Sequence, residues 1–183
     1  MKSTNALLAA TVLALSGSIA LAQEEGERAL RVGEVAPVLQ VTEWIGSAPQ
    51  TLRDLRGRVV LLDFWATWCK PCIQMYPEMR TWAEDMGPRG LVIVGVTSHS
   101  RQTPARIRRF LERQKLPWPV AIDPENRTQI EYGVSALPPT FLIDRRGILR
   151  FEHRGGGDLS EIEAKIRELL EERPPETSPS TAD

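Results

Sequence analysis

Only two of the 183 residues are cysteine and only two are histidine. The cysteines stand together in Trp68-Cys69-Lys70-Pro71-Cys72, so neither has another thiol in the chain with which to staple the fold. A zinc site built on the pair would need two more ligands, and His99 and His153 are the only histidines available. No metal and no cofactor are therefore expected. An excess of one charge is lacking too: 23 Lys and Arg against 24 Asp and Glu leave a formal charge of −1, which gives no reason to expect a nucleic-acid partner. Beyond the N-terminal segment no stretch is long and apolar enough to cross a bilayer, and there is no internal repeat.

Lys2 gives that segment a positive start, and residues 6–22 form an almost uncharged Ala- and Leu-rich run. It ends Ala20-Leu21-Ala22 before Gln23-Glu24-Glu25, the small-x-small pattern of a cleavage site. The reading is a signal peptide over 1–22, with an uncleaved membrane anchor as the alternative. Export would place the protein in the periplasm or another extracytoplasmic space, where disulfides persist and need managing. A polar leader (23–31) follows, and a Pro-, Glu-, Thr- and Ser-rich tail (173–183) reads as disordered. The 32–172 span between them is long enough for one domain with its own core.

Within that span, strand and helix signals alternate. Residues 35–45 read as an extended segment or hairpin. Val59-Val60-Leu61-Leu62, running into Asp63-Phe64-Trp65, is the continuous apolar run of a doubly buried strand. Helical periodicity covers 71–86, with Pro77 expected to kink it. Residues 91–96 give a second buried strand, and 104–115 an Arg-rich helix opened by Thr103 and Pro104. Arg101, Arg106, Arg108, Arg109 and Arg113 are assigned to its solvated side. Short strand and helix signals at 120–122 and 127–132 precede a hairpin whose turn is Asp144-Arg145-Arg146-Gly147. An amphipathic helix over 159–170 closes the domain. The pattern is α/β, with parallel strands, helical crossovers and a final antiparallel hairpin.

A Cys-x-x-Cys pair closes a small disulfide ring that can open again, which suits a bond exchanged in catalysis better than one that holds a fold. Cys69, where strand gives way to helix, should lie at a helix N-terminus, whose free N–H groups and dipole favour a thiolate. It is the expected nucleophile, and Cys72, one turn further in and more buried, the resolving thiol. Pro71 fits the first turn because its missing N–H costs nothing there. Lys70 adds a screened cation of small effect.

Val60 to Cys72 (VLLDFWATWCKPC) closely resembles the strand and active site of the thioredoxin superfamily. With the leader, the long 91–122 stretch and YGVSALPPTFLID at 132–144, the chain resembles the extracytoplasmic TlpA/ResA/DsbE (CcmG) type. The resemblance implies a thioredoxin-like three-layer sandwich: a mixed central sheet, helices on both faces, an added N-terminal hairpin and an inserted helix. It implies protein-disulfide exchange, as a reductant of the cytochrome c maturation type. The partners would be exported proteins with disulfides and a membrane-embedded dithiol donor. It makes Pro138 a cis-proline facing the dithiol, with Leu137 offering its backbone to a substrate strand. Trp68, Lys70 and Pro71 complete the substrate-binding set.

Two residues depart from that pattern. Many members carry Glu three residues after the second cysteine, where this chain has Met75. Asp63 stands where thioredoxin itself has a buried Asp, and it is expected to serve as the proton acceptor for Cys72. The alternatives are a general oxidant or isomerase, a peroxidase, and a non-enzymatic thioredoxin-like binding module. Lys-Pro rather than His between the cysteines weighs against the first. The absence of a lone peroxidatic cysteine weighs against the second. The joint presence of Trp68, Cys69, Pro71, Cys72 and Pro138 weighs against the third. His99 and His153 are read as surface residues without a role.

Overall fold

A computed structural model describes residues 30–173. The expected leader, nearly all of the polar stretch and the tail from 174 lie outside the described residues. Six strands form one mixed sheet: β1 (Glu43–Ile45), β2 (Val59–Phe64), β3 (Leu91–Thr97), β4 (Val120–Ile122), β5 (Pro139–Ile143) and β6 (Leu149–Arg154). Their spatial order is β1-β4-β3-β2-β5-β6. The β2, β3 and β4 strands run parallel, while β1, β5 and β6 are antiparallel to their neighbours. Four helices join them: α1 (Lys70–Met86), α2 (Pro104–Gln114), α3 (Arg127–Glu131) and α4 (Ser160–Glu171).

All six residues of β2 are buried because it is central and covered on both faces. Alternation along the strand divides its side chains between two cores. Val59 and Leu61 join Met75, Met79, Ile107, Phe110, Ile162 and Ile166 under α1, α2 and α4. Val60, Leu62 and Phe64 face the other way, toward Tyr132, Phe141 and the chain before β1. The parity places Asp63 on the α1 side.

Residues 35–45 do not make the expected N-terminal hairpin. Val35 bridges Ile148 near the β6 side of the sheet, and β1 pairs with β4 at the opposite side. The segment crosses the open face between them, burying Ala36 and packing Leu39, Val41 and Trp44 against the second core. The Pro37 carbonyl accepts from the Tyr132 hydroxyl at 2.8 Å and Gln40 N–H donates to Thr128 Oγ1 at 2.8 Å. Covering bare apolar sheet outcompetes pairing the segment with itself.

Pro77 sits inside α1, whose 17 residues run from Lys70 to Met86. One further expectation changes in detail. Arg101 lies outside α2, which begins at Pro104, and its guanidinium stacks over Trp68 instead of joining the helix's solvated side. The Thr103 cap forms as expected, its hydroxyl accepting from Arg106 N–H at 3.2 Å.

Candidate active site

The β2 strand ends at Phe64, and a short turn carries the chain into α1. Cys69 is the N-cap of that helix, in extended conformation, and its sulfur accepts the Cys72 N–H at 3.3 Å. The free first-turn N–H groups and the helix dipole therefore converge on Cys69 Sγ. Cys69 and Cys72 are joined by a disulfide, with Cα atoms 5.4 Å apart. Both are enclosed: Cys69 is 3% exposed and Cys72 0%. The expected order of burial is present but narrow. Lys70 and Pro71 are exposed on the first turn.

Around this bond the surface is carved by four segments. Trp68, 41% exposed, lies under the Arg101 guanidinium, whose carbon stands 4.9 Å from the ring centroid, a cation–π contact. Trp68, Ala66, Ser98, Gln129 and Leu137 line a groove of about 180 Å³ beside the dithiol. The Leu137–Pro138 peptide is cis. The Pro138 carbonyl accepts from Gly155 N–H at 2.7 Å, and the next residue, Gly156, lies so close to Pro71 that a Cβ there would stand 3.1 Å from Pro71 Cβ. One loop thus ties the Pro138 turn to the helix that carries the cysteines. Of the expected substrate-binding residues, Trp68 and Leu137 share the groove and the 155–156 loop links Pro138 with Pro71, while Lys70 is exposed between the cysteines.

Behind them lies Asp63. It is 0% exposed, and neither carboxylate oxygen has a hydrogen-bond partner. Burial pushes its pKa from 3.8 up to about 7, because enclosure away from solvent penalises the charged form. Cys72 Sγ packs against the carbonyl of Phe64, the residue after Asp63, at 4.0 Å. Tyr76, one turn beyond Cys72, feels the Asp63 charge, and burial together with that charge pushes its phenol far up. Met75 is an ordinary core residue at 2% exposure.

His153, expected at the surface, is instead half-buried with Nε2 enclosed and unpartnered, because its place on β6 turns it toward the core under α4; Thr140, which the sequence reading passed over, is buried with an unpartnered hydroxyl. Their only signal in the sequence is position: Thr140 directly follows Pro138-Pro139, and the hairpin turn fixes what stands opposite it.

A dithiol at a helix N-terminus, a groove beside it and a buried carboxyl behind it, all on a thioredoxin-like sheet, define a thiol–disulfide oxidoreductase. Residues 32–152 match the model of the AhpC/TSA family, to which the chain belongs. Over 162 residues it is 31% identical to the thiol-disulfide oxidoreductase ResA of Bacillus cereus, spanning 86% of this chain and 92% of that one. A crystal structure assigned as the thiol:disulfide interchange protein DsbE of Chlorobium tepidum superposes with a TM-score of 0.71 at 32% identity, covering 78% of this chain and 99% of that one. The exposed lipoprotein thioredoxin of Streptococcus pneumoniae superposes at 0.59 with 29% identity, covering 66% and 91%. The chain is a thiol–disulfide oxidoreductase of the ResA/DsbE type.

Proposed function

We propose that this chain reduces disulfides of exported proteins outside the cytoplasm, in a role of the cytochrome c maturation type. Its 32–172 domain follows a leader at 1–22, and a membrane-embedded dithiol recharges it. The observation that carries the reading is the Cys69–Cys72 disulfide capping α1 in front of a buried, unpartnered Asp63. Two similarities support the location: the relative from Streptococcus is an exposed lipoprotein, and the N-terminal 22 residues have the form of a signal peptide.

In the reduced protein Cys69 is the nucleophile. Its thiolate, stabilised by the first-turn N–H groups, attacks one sulfur of the substrate disulfide, and the other substrate sulfur leaves as a thiolate. Resolution needs Cys72 without its proton. Asp63 takes that proton, Cys72 attacks Cys69 Sγ, and the second substrate thiolate departs. Two electrons pass to the substrate, and the disulfide seen in the structure is the product. Trp68, Leu137 and Pro138 present the groove in which the substrate strand lies, and Lys70 and Pro71 flank it.

The test uses the full chain expressed in a bacterium. A Cys72→Ala variant should accumulate mixed disulfides through Cys69 with exported proteins, and Cys69→Ala should accumulate none. Partners found only in the cytoplasm, or trapping by Cys69→Ala, would overturn the reading. Direction is read by redox titration of the purified domain. A reductant should lie toward thioredoxin's value of about −270 mV, whereas a value near −120 mV would make it an oxidant.

A further inference from the structure

The strand register sets three polar side chains in one row. Asp63 stands opposite Thr140, and Thr140 opposite His153. Directly opposed residues point to the same face of a sheet, with Cβ atoms about 5 Å apart. Leu61, Leu142 and Phe151, each two positions along the same strands, all belong to the core under α1 and α4, so the row lies in that apolar layer. Asp63 Oδ1 and Oδ2, Thr140 Oγ1 and His153 Nε2 are all buried without a hydrogen-bond partner. One such group is costly, and a contiguous set calls for an explanation.

The surroundings leave the row few other uses. On the β3 side Asp63 meets Gly95, whose missing side chain leaves room for the buried, unpartnered Trp65 indole N–H. From α1 come Cys72 and the Tyr76 phenol, whose hydroxyl is likewise buried without a partner but leads only back under α1, with Arg80 beyond it. From α4 come Ile162 and Ile166. Next to His153 lies Asp158, whose carboxylate feels the imidazole and accepts the Ser160 N–H at 2.9 Å. Asp158 is exposed, and β6 is the outermost strand on that side of the sheet. The row therefore runs from beneath the dithiol toward the β6 edge of the sheet, and none of its three residues lines the groove.

We propose that Thr140 and His153 are the route by which Asp63 exchanges its proton with solvent. The inference rests on the reading of Asp63 as the acceptor for Cys72. As the Cys72 thiol ionises to resolve the mixed disulfide, its proton passes onto Asp63 and is cleared along the row before the thiolate attacks, so the row's rate enters the rate of resolution. The Asp63 O–H donates to Thr140 Oγ1, and the Thr140 hydroxyl passes its own proton to His153 Nε2. His153, carrying a proton on Nδ1 beforehand, releases that one to water beside Asp158. No electrons move in the relay, and Asp63 is again a carboxylate. A hydroxyl suits the middle position because it donates and accepts at once. An imidazole suits the exit because its two nitrogens take up and release on opposite edges.

The test follows the purified reduced protein after mixing with dithiobis-nitrobenzoate, from pH 6 to 9. Attack of Cys72 on the Cys69 mixed disulfide releases a second coloured thiolate, and its rate reads resolution directly. Thr140→Val keeps shape without the hydroxyl, and Thr140→Ser keeps the hydroxyl. Thr140→Val and His153→Ala should each slow resolution about tenfold, a fraction of what a full proton acceptor contributes. Thr140→Ser should stay near the wild-type rate, and added imidazole should restore His153→Ala but leave Thr140→Val slow. A wild-type rate in Thr140→Val or in His153→Ala overturns the route. So does a slow Thr140→Ser, or a slow His153→Ala that imidazole leaves unchanged, since either would mark a packing effect. Asp63→Asn separates the two levels. If it is slow while Thr140→Val and His153→Ala are fast, only the route fails; if it too is fast, the reading of Asp63 fails.

Discussion

Replacing Asp63 by Asn removes a charge that the fold cannot solvate, and the effect on stability has a definite pH signature. Burial raises the Asp63 pKa from 3.8 to about 7. Below 3.8 the carboxyl is protonated in both states and its titration contributes nothing unfavourable. Between 3.8 and about 7 the unfolded chain ionises while the fold retains the proton, so stability falls as pH rises. Above about 7 the fold carries the buried charge and the loss is complete. A slope of about 1.4 kcal/mol per pH unit over roughly three units gives about 4 kcal/mol. Asn does not titrate, so the stability of Asp63→Asn relative to wild type should grow by about that amount from pH 4 to pH 8 and then level off. Other titrating groups are common to both proteins and cancel in the difference. Urea unfolding of the oxidised proteins measures this without interference from free thiols. With m near 2 kcal/mol per M, the midpoints should separate by about 2 M across the range. Parallel curves, or a separation greatest at acid pH, would refute the assignment of an uncompensated buried carboxyl.

Gly95→Ala should destabilise the domain by about 1–3 kcal/mol, because the added Cβ would stand 2.9 Å from Trp65 Nε1 and 3.3 Å from Val120 Cγ2. Trp65 is 1% exposed and stacked on Phe110, so it has little room to yield; an unchanged urea midpoint would contradict this. Asp144 should show the opposite pH sign to Asp63. Burial pushes its pKa up, but hydrogen bonds from Ile148 N–H, the Arg150 guanidinium and Arg146 N–H outweigh it and hold the carboxyl below its usual 3.8. Its stabilisation is present above 3.8 and lost as pH falls through the lowered value, so Asp144→Asn should cost about 1–3 kcal/mol at neutral pH and flatten the acid limb of the stability curve. An unflattened limb would show that the turn does not depend on the charge.

Much of the fold is legible in the sequence because the signals involved are local. The apolar run at 59–62, the Thr103-Pro104 start of α2 and the 144–147 turn each act within a few residues, and the structure has an element at each. The 35–45 segment is extended, one of its two expected forms, but makes no hairpin, for the converse reason. Its alternating apolar residues fit a hairpin, but what they cover is the bare face of a sheet whose strands begin at Val59 and reach to β6 far downstream. Arg101 shows the same limit. Its charge pattern fits a helix, yet a left-handed backbone at φ 58 takes it out of α2 and over an aromatic ring. At the site, the cysteines, Asp63 and the Pro138 turn announce themselves by motif. Thr140 and His153 could be found only through strand register, which follows from a hairpin and a bulge between Leu142 and Ile143.

That register also bears on why the carboxyl stands at 63 and an apolar residue at 75. Met75 is on α1, one turn beyond Cys72, and its neighbours are core side chains such as Met79. A carboxylate placed there would depend on whatever rotamer the helix packing allowed. Asp63 is instead on the central strand, where pleat and pairing fix the direction of each side chain and of its neighbours on the next strand. Only from β2 does a carboxyl under the dithiol have β5 directly beside it and β6 one strand further. The Met75 departure and the Asp63–Thr140–His153 row thus belong to one arrangement. With the acid on the sheet, its proton has a sheet-wise neighbour, and α1 is left apolar to pack the core that keeps the carboxyl dry.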